Sequence, residues 1–193
     1  MRSAVNPVKK PMKKIIYSVL ASSAFTLLLL GCEQTTPNTG ATAIANEEAP
    51  KIGYLAPNFR LTNLQGEEVS IAGLAGKVLF INFWATWCAP CLAEMPSMQI
   101  LYHDFKDKGL EILAVSSDAE GALIVQPFVQ KLGLTYPILL DPDFRVHDKY
   151  LIRSVPTTIL VDRNGVITHR IVGARNWNDT ASRDLIEKLS KVN

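Results

Sequence analysis

The sequence predicts an α/β domain over residues 54–193, and three patterns indicate it. The stretch KVLFINFWA, residues 77–85, is an almost unbroken apolar run, which is typical of a strand covered on both faces. Segments of helical character follow such runs and end at Gly109 and Gly133, as helices commonly do. Near the C-terminus, Asn164-Gly165 separates two apolar stretches and predicts a β-hairpin. Strands alternating with helices indicate a layered α/β arrangement.

The order of the elements follows from the same patterns. NFRLTNLQGEEVSI, residues 58–71, alternates on either side of Gln65-Gly66 and predicts an N-terminal hairpin. The first helix has Pro90 at an early position, which suits proline because its missing N–H is not needed there. The predicted elements are strand 77–85, helix 90–108, strand 110–118, helix 122–133, strand 136–141, helix 144–152, strands 157–162 and 165–173, and an amphipathic helix 180–192.

The N-terminal segment has the three-part organisation of an export signal. Two lysines precede an apolar run over residues 15–30, which is short for a membrane span. LLGC, residues 29–32, closes the run and resembles a bacterial lipobox, in which the cysteine is acylated and becomes the new N-terminus. We therefore predict a lipoprotein signal peptide over residues 1–32 that ends at a lipidated Cys32. An uncleaved anchor and a simple secretory signal are the alternatives.

Residues 33–53 are polar and small, contain Pro37, Gly40 and Pro50, and show no sustained periodicity. This composition predicts a flexible tether between Cys32 and the domain. As a flexible coil, the tether would span roughly 25 Å end to end. More than one acyl chain on the cysteine would anchor the chain stably, because membrane affinity grows with each buried methylene group.

The charge distribution changes when the predicted signal is set aside. Five of the twenty Lys and Arg residues, but none of the eighteen Asp and Glu residues, precede Cys32. The chain from Cys32 onward therefore carries fifteen basic and eighteen acidic residues, a formal net charge of −3. The basic character of the whole chain belongs to the signal segment, so the composition indicates no nucleic-acid partner.

Cys88 and Cys91 are separated by two residues and lie at a predicted junction between strand and helix. Unpaired N–H groups and the helix dipole favour a thiolate there, so Cys88 is the expected nucleophile. Cys91, one turn later on nearly the same face, can resolve a mixed disulfide formed at Cys88. A structural disulfide at this spacing would close almost no loop, and a structural zinc site would need four ligands, whereas the three histidines are scattered singly. A redox pair is the favoured interpretation.

Three motifs follow one another along the predicted domain: WATWCAPC (84–91), EMP (94–96) and VPT (155–157). Together they resemble the thioredoxin superfamily, specifically its membrane-tethered thiol-disulfide oxidoreductases of the TlpA/ResA type. The resemblance runs from about residue 54 to 192 and includes the APNFRLTNLQG hairpin. It implies a thioredoxin-like α/β fold with a central mixed β-sheet flanked by helices. It further implies an N-terminal β-hairpin and a central helix-strand insertion at about residues 119–140.

The resemblance also implies roles for individual residues. Cys88 is expected as the exposed nucleophile and Cys91 as the buried resolving thiol. Pro156 is expected to be a cis-proline that faces the disulfide, and its loop, with Val155, to bind an extended substrate segment. Trp87, which is expected beside the cysteines, and Pro90 complete the candidate substrate-binding residues. The Cys88–Cys91 disulfide is the expected redox group, with no further cofactor and no metal.

One position departs from thioredoxin itself. Six residues before Cys88, where thioredoxins usually carry a buried aspartate, this chain has Asn82, which cannot take or release a proton near neutrality. Glu94, three residues after Cys91 and on roughly the same helical face, matches a glutamate of the ResA-like branch. We therefore predict that Glu94 is a third catalytic residue, acting as acid or base for Cys91. A solvated helix glutamate is the alternative.

These residues predict an extracytoplasmic, lipid-anchored thiol-disulfide oxidoreductase on the periplasmic side of the cell envelope. Its partners would be protein thiol or disulfide clients. By resemblance, the electron donor would be a membrane thiol carrier of the CcdA/DsbD type, and apocytochrome c is one conceivable client.

Two other functions share the fold. Peroxiredoxin-like peroxidases usually place Thr three residues before the peroxidatic cysteine, where this chain has Ala85. Copper chaperones of the SCO type normally show Cys-x-x-x-Cys and a distal histidine, a role that His147 or His169 would have to fill here.

Several conspicuous side chains are expected to be structural. The histidines have no metal spacing. Asp141-Pro142-Asp143 is expected to be a turn that opens a helix. Five phenylalanines are expected to face the core: Phe59, Phe80, Phe83, Phe128 and Phe144.

Overall fold

The structure is a computed structural model, and it describes residues 47–191. The predicted signal peptide, the predicted lipidation site Cys32 and residues 33–46 of the predicted tether lie outside this range. The strands are β1 (Arg60–Asn63), β2 (Glu68–Ser70), β3 (Val78–Trp84), β4 (Leu110–Ser116), β5 (Ile138–Leu140), β6 (Thr157–Val161) and β7 (Ile167–Val172). The α-helices are α1 (Ala89–Phe105), α2 (Ala122–Leu132), α3 (Arg145–Lys149) and α4 (Thr180–Lys191).

All seven strands form one mixed sheet in the order β2-β1-β5-β4-β3-β6-β7. β3, β4 and β5 are parallel neighbours, and the remaining pairs are antiparallel. The predicted hairpins are β1-β2 and β6-β7, and the predicted helix-strand insertion is α2 with β5. The central mixed sheet, the N-terminal hairpin and the insertion are therefore confirmed. Among residues 47–191, no helix is long and apolar enough to cross a membrane.

Strand β3 carries the site and is buried along its whole length. Because side chains alternate across a strand, Phe80 and Trp84 face the hydrophobic cluster that includes residues of α1, α2 and α4. Ile81 and Phe83 face a second cluster, which includes residues of α3. Burying each such side chain contributes about 1.5–3 kcal/mol. Asn82 shares the alternation of Phe80 and Trp84, so this polar side chain points toward α1.

The structured domain begins before Tyr54. The N–H of Gly53 donates to the carbonyl of Ile167 at 2.8 Å, and the N–H of Leu55 donates to the carbonyl of Glu47 at 3.0 Å. Residues 47–53, which the sequence pattern places in the tether, are thus hydrogen-bonded to the domain. The contacts use backbone N–H and carbonyl groups, which every residue type except proline supplies, so side-chain composition carries little sign of them.

The helix predicted over residues 144–152 is shorter in the structure, because α3 spans only Arg145–Lys149. Phe144 before it has φ 57° and Leu151 after it has φ 52°, and a left-handed residue interrupts a right-handed helix. The prediction that Phe144 faces the core is wrong, since this residue is 43% exposed. It lies ahead of the helical turn that buries Val146 and His147.

Candidate redox site

A disulfide joins Cys88 to Cys91, with an S–S distance of 2.08 Å and a Cα–Cα distance of 5.3 Å. Cys88 is the N-cap residue of α1, and its Sγ accepts a hydrogen bond from the backbone N–H of Cys91 at 3.3 Å. Strand β3 ends at Trp84, and the turn to Cys88 is closed by the N–H of Cys88 donating to the carbonyl of Ala85. The nucleophile predicted from the sequence therefore lies where unpaired N–H groups and the helix dipole favour a thiolate.

The two sulfur-bearing residues differ in exposure, although less than expected. Cys91 is fully buried, whereas Cys88 is 5% exposed. The expectation of an openly exposed Cys88 therefore needs correction. Cys88 belongs to the hydrophobic cluster on the α1 face, and Val155 packs against that cluster.

The loop before β6 comes next to the cysteine turn. The peptide bond between Val155 and Pro156 is cis, as the resemblance implies. Val155 and Trp87 line one pocket of about 190 Å³, and Trp87 is 71% exposed. Pro90 lies in the first turn of α1 with an exposed side chain. The structure thus brings Trp87 and Val155 together near Cys88 and leaves Pro90 on the adjacent surface.

Glu94 is 2% exposed and enclosed by hydrogen-bond donors. Its Oε1 accepts from Nδ2 of Asn82 at 2.9 Å, and its Oε2 accepts from Nε1 of Trp177 at 2.9 Å. The backbone N–H of Arg175 donates to Oε2 at 3.3 Å. Burial raises the pKa of Glu94 above its ordinary value of 4.5, although the hydrogen bonds from Trp177, Asn82 and Arg175 act in the opposite direction. The alternative of a solvated glutamate does not fit this geometry.

Asn82 explains part of this arrangement. It projects from β3 toward α1, and its Nδ2 donates both to Glu94 and to Oγ1 of Thr158 at 3.0 Å. Its Oδ1 is buried without a partner. The amide therefore holds a carboxyl group that lies one helical turn beyond Cys91. Glu94 also belongs to the lining of a cavity of about 610 Å³ between α1 and residues 174–178.

Asp118 is a site residue that the sequence analysis missed. It is buried just after β4, and its carboxylate accepts hydrogen bonds from Oγ1 of Thr86 at 2.7 Å and from Oγ of Ser116 at 2.7 Å. The N–H of Thr86 donates to the same carboxylate at 3.0 Å. Asp118 thus holds the turn that leads to Cys88. A polar residue at the carboxyl end of a buried parallel strand is the signal that could have indicated it.

The two competing functions would each require a particular side chain: a distal histidine ligand for a copper chaperone and a threonine hydroxyl for a peroxidase. Nδ1 of His147 contacts Asp141 at 2.7 Å, and Nδ1 of His169 contacts Thr168 at 3.0 Å. Within residues 47–191, no three His, Cys, Asp or Glu side chains cluster as metal ligands would. The donor set of a copper chaperone is therefore not assembled here. Ala85, at the peroxiredoxin threonine position, is fully buried and supplies no hydroxyl group.

Comparison with known proteins agrees with this geometry. Residues 52–170 match the AhpC/TSA family. The chain is 39% identical over 171 residues to thiol-disulfide oxidoreductase ResA of Geobacillus kaustophilus. This alignment covers 87% of this chain and 94% of the relative. It is also 40% identical over 129 residues to ResA of Bacillus thuringiensis. That alignment covers 67% of this chain and 74% of the relative.

A solved structure shows the same fold. The putative thiol:disulfide interchange protein DsbE from Chlorobium tepidum is 29% identical, with a TM-score of 0.64 over 72% of this chain and 94% of that protein. The thioredoxin-like fold predicted from the sequence is thereby confirmed. With a disulfide at the cap of α1 and relatives of this kind, the chain belongs to the AhpC/TSA family and is a ResA-like thiol-disulfide oxidoreductase.

Proposed function

We propose that this oxidoreductase works as a reductase of protein disulfides outside the cytoplasm, tethered to the membrane through a lipidated Cys32. One observation carries the proposal: the attacking and resolving cysteines have different surroundings. Cys88 caps α1 and is 5% exposed, while Cys91 is fully buried one turn from the enclosed carboxyl of Glu94. This asymmetry suits a cycle in which one sulfur meets the client and the other never leaves the protein.

The reductive cycle balances over two exchanges. The Cys88 thiolate attacks one sulfur of a client disulfide, so a mixed disulfide forms and the other client sulfur leaves as a thiolate that takes up a proton. Cys91 then loses its proton and attacks Sγ of Cys88, which forms the intramolecular disulfide and releases the second client thiolate. The client gains two electrons and two protons, and the protein dithiol becomes the disulfide seen in the structure.

Glu94 is proposed to manage the proton of Cys91. The resolving thiol is buried, so it needs a nearby group to accept its proton, and burial raises the pKa of Glu94 toward the range of an effective base. Asn82 and Trp177 keep the carboxyl in place. The adjoining cavity provides a route by which the proton leaves.

Continued turnover requires a donor that reduces the Cys88–Cys91 bond. We propose a membrane thiol carrier of the CcdA/DsbD type for this role and apocytochrome c as one client. Support comes from the ResA names of the relatives and from the lipobox-like LLGC sequence at residues 29–32. A tethered domain and a membrane donor would share one surface, which raises their effective concentration.

The reduction potential of the Cys88–Cys91 pair tests the direction of electron flow. The full chain in detergent micelles is equilibrated with dithiol buffers, and tryptophan fluorescence reports the oxidised fraction. A value near that of thioredoxin, about −270 mV, supports a reductase. A value near about −120 mV, typical of a disulfide-forming oxidant, contradicts the proposal.

Cysteine variants test the order of attack. Cys91→Ser should accumulate a mixed disulfide between Cys88 and the client, because no second thiol can displace the client. The matched variant Cys88→Ser should form no adduct with the client. Mass spectrometry of the quenched reaction measures both, and an adduct on Cys91 would overturn the assignment.

A further inference from the structure

The pocket beside Trp87 is the least explained feature near the site. It has a volume of about 190 Å³ and lies among the cysteine turn, α3 and the loop before the cis bond. Trp87 and Val155, which flank Cys88 and Pro156 in sequence, belong to its lining together with Phe144 and His147. Ligand sites for drug-sized molecules are larger, so this volume suits a single side chain.

His147 gives the pocket a polar group without a partner. The residue is 4% exposed, and its Nδ1 lies 2.7 Å from Oδ2 of Asp141. Hydrogen bonds from His147 and from the backbone N–H groups of His147 and Val146 outweigh the effect of burial and hold the pKa of Asp141 below its ordinary value. Nδ1 of the ring is therefore satisfied by the carboxylate of Asp141. Nε2, the other ring nitrogen, is buried and has no hydrogen-bond partner.

An unusual aromatic residue lies at the edge of the same pocket. Phe144 adopts φ 57°, a left-handed conformation that a bulky residue rarely takes, and its side chain is 43% exposed. Its ring lies 5.6 Å from that of His147, near edge-to-face. Trp87, on the opposite border, is exposed as well. Backbone strain and exposed aromatic surface coincide at binding sites more than at structural positions.

We propose that this pocket binds an aromatic client side chain that carries a hydrogen-bonding hydroxyl group, namely a tyrosine near the client cysteine. The ring would contact Trp87 and Phe144, and the hydroxyl, which can donate or accept, would form a hydrogen bond with Nε2 of His147. The proposal rests on the proposed function, because it assumes a client segment held at Cys88. It adds a determinant of which clients are chosen.

The chemistry distinguishes tyrosine from its nearest analogue. Phenylalanine fills the same space but leaves Nε2 of His147 unpaired, and an unpaired buried polar atom is costly. Sites built to bond a hydroxyl group reject the analogue that lacks it more strongly than apolar pockets reject an added methylene. Aliphatic residues would lose the aromatic contacts with Trp87 and Phe144 as well.

Peptide pairs test the proposal directly. Seven-residue peptides carry one cysteine as a mixed disulfide with glutathione, and either tyrosine or phenylalanine occupies each position from three before to three after it. At one position, the wild-type chain should reduce the tyrosine peptide about five- to tenfold faster in kcat/KM. In His147→Phe the ratio should fall to about one, and in the control His103→Phe, whose side chain is exposed on α1, it should stay as in wild type.

A ratio near one at every position in the wild-type chain overturns the proposal, and so does a preference that survives in His147→Phe. Because that variant leaves Asp141 without its side-chain partner, folding is checked by circular dichroism. A second measurement needs no variant. With histidine labelled in the full chain, a tyrosine peptide whose cysteine is replaced by serine should shift the Nε2 resonance of His147, whereas its phenylalanine analogue should not.

The two proposals fail in distinguishable ways. A wild-type chain that reduces neither peptide series contradicts the proposed reductase, but the serine peptides still report binding at His147. A chain that reduces both series equally and binds the tyrosine peptide without a change at Nε2 retains the reductase and loses the tyrosine pocket.

Discussion

Nε1 of Trp177 donates a 2.9 Å hydrogen bond to Oε2 of Glu94, and this contact joins residues 83 positions apart. Asn82 on β3 donates to the other carboxyl oxygen at 2.9 Å. The carboxyl group is thereby fixed between the sheet and the segment that precedes α4. It lies on the helix that carries both cysteines, one turn beyond Cys91. The contact links the position of the proposed proton acceptor to the packing of Trp177, in the segment before α4.

Glu94→Gln should slow the step in which Cys91 displaces the client, by about a hundredfold, because general acid-base catalysis commonly contributes this much or more. The inflection that Glu94 adds to the pH profile of that step should disappear. Single-turnover reduction of a preformed mixed disulfide at a series of pH values measures both effects. Glu120→Gln, an exposed change, is the control. An unaltered pH profile in Glu94→Gln would show that the carboxyl takes no part.

Trp177→Phe should raise the pKa of Glu94 further. The hydrogen bond from the indole lowers that pKa, and its loss leaves the effect of burial less opposed. The phenyl ring keeps an aromatic partner for Phe80, whose ring lies 4.4 Å from that of Trp177. Unfolding should cost about 1–3 kcal/mol less at neutral pH, since a buried acceptor loses its partner. Carbon-13 NMR titration and urea unfolding measure the two effects, with Trp87→Phe as the stability control.

Glu94 should also reduce stability as the pH rises. Its pKa is raised in the folded chain, so the folded state holds the proton more tightly than the unfolded state. The favourable contribution of Glu94 to the free energy of unfolding is fully present below pH 4.5, the ordinary pKa of the group. It is lost as the pH rises through the raised pKa of the folded state. The free energy of unfolding of Glu94→Gln relative to wild type should therefore increase with pH through this window. Urea unfolding at several pH values measures it, and a difference that does not vary with pH would contradict the prediction.

Asp141 should behave in the opposite way. The pKa of Asp141 in the folded chain is held below its ordinary value of 3.8. Its contribution to the free energy of unfolding is therefore fully present above pH 3.8 and is lost as the pH falls through the lowered pKa. Asp141→Asn should destabilise the chain near neutrality and flatten the acid branch of the stability curve. Acid-induced unfolding followed by circular dichroism measures this, with the exposed change Asp143→Asn as control. An acid branch identical to that of wild type would exclude this role.

Asp118→Asn should loosen the turn that leads to Cys88. The amide nitrogen of an asparagine side chain cannot accept a hydrogen bond, so the hydroxyl of Thr86 or Ser116 loses its acceptor. The free energy of unfolding should fall by about 1–3 kcal/mol. The pKa of the Cys88 thiol should change when the turn relaxes, because this pKa depends on the position of the sulfur at the helix cap. The pH dependence of Cys88 alkylation in the reduced protein is the readout. A destabilised variant with an unchanged alkylation profile would limit Asp118 to a structural role.

Most of the fold was predictable because each element has a local signal. The apolar run at β3, the glycine end of α2 and the Asn164-Gly165 hairpin depend on neighbouring residues alone. α1 ends at Phe105, and a 3-10 turn over Lys106–Lys108 fills the remaining distance to Gly109. The errors lie where the local signal is weak. Residues 47–53 are joined through backbone groups, and α3 is bounded by left-handed residues that no propensity marks.

The sequence by itself determined the order of the reactive groups: two thiols one turn apart after a buried strand, and a glutamate one further turn along the same helix. Only the tertiary structure decided how these groups behave, because their partners come from distant parts of the chain. Trp177 reaches Glu94, Asp118 reaches Thr86, and Val155 comes beside Trp87 only when the sheet brings its strands into order. Burial and hydrogen bonds made across such distances set the properties of a buried carboxyl and of a client pocket, and neither can be read from adjacent residues.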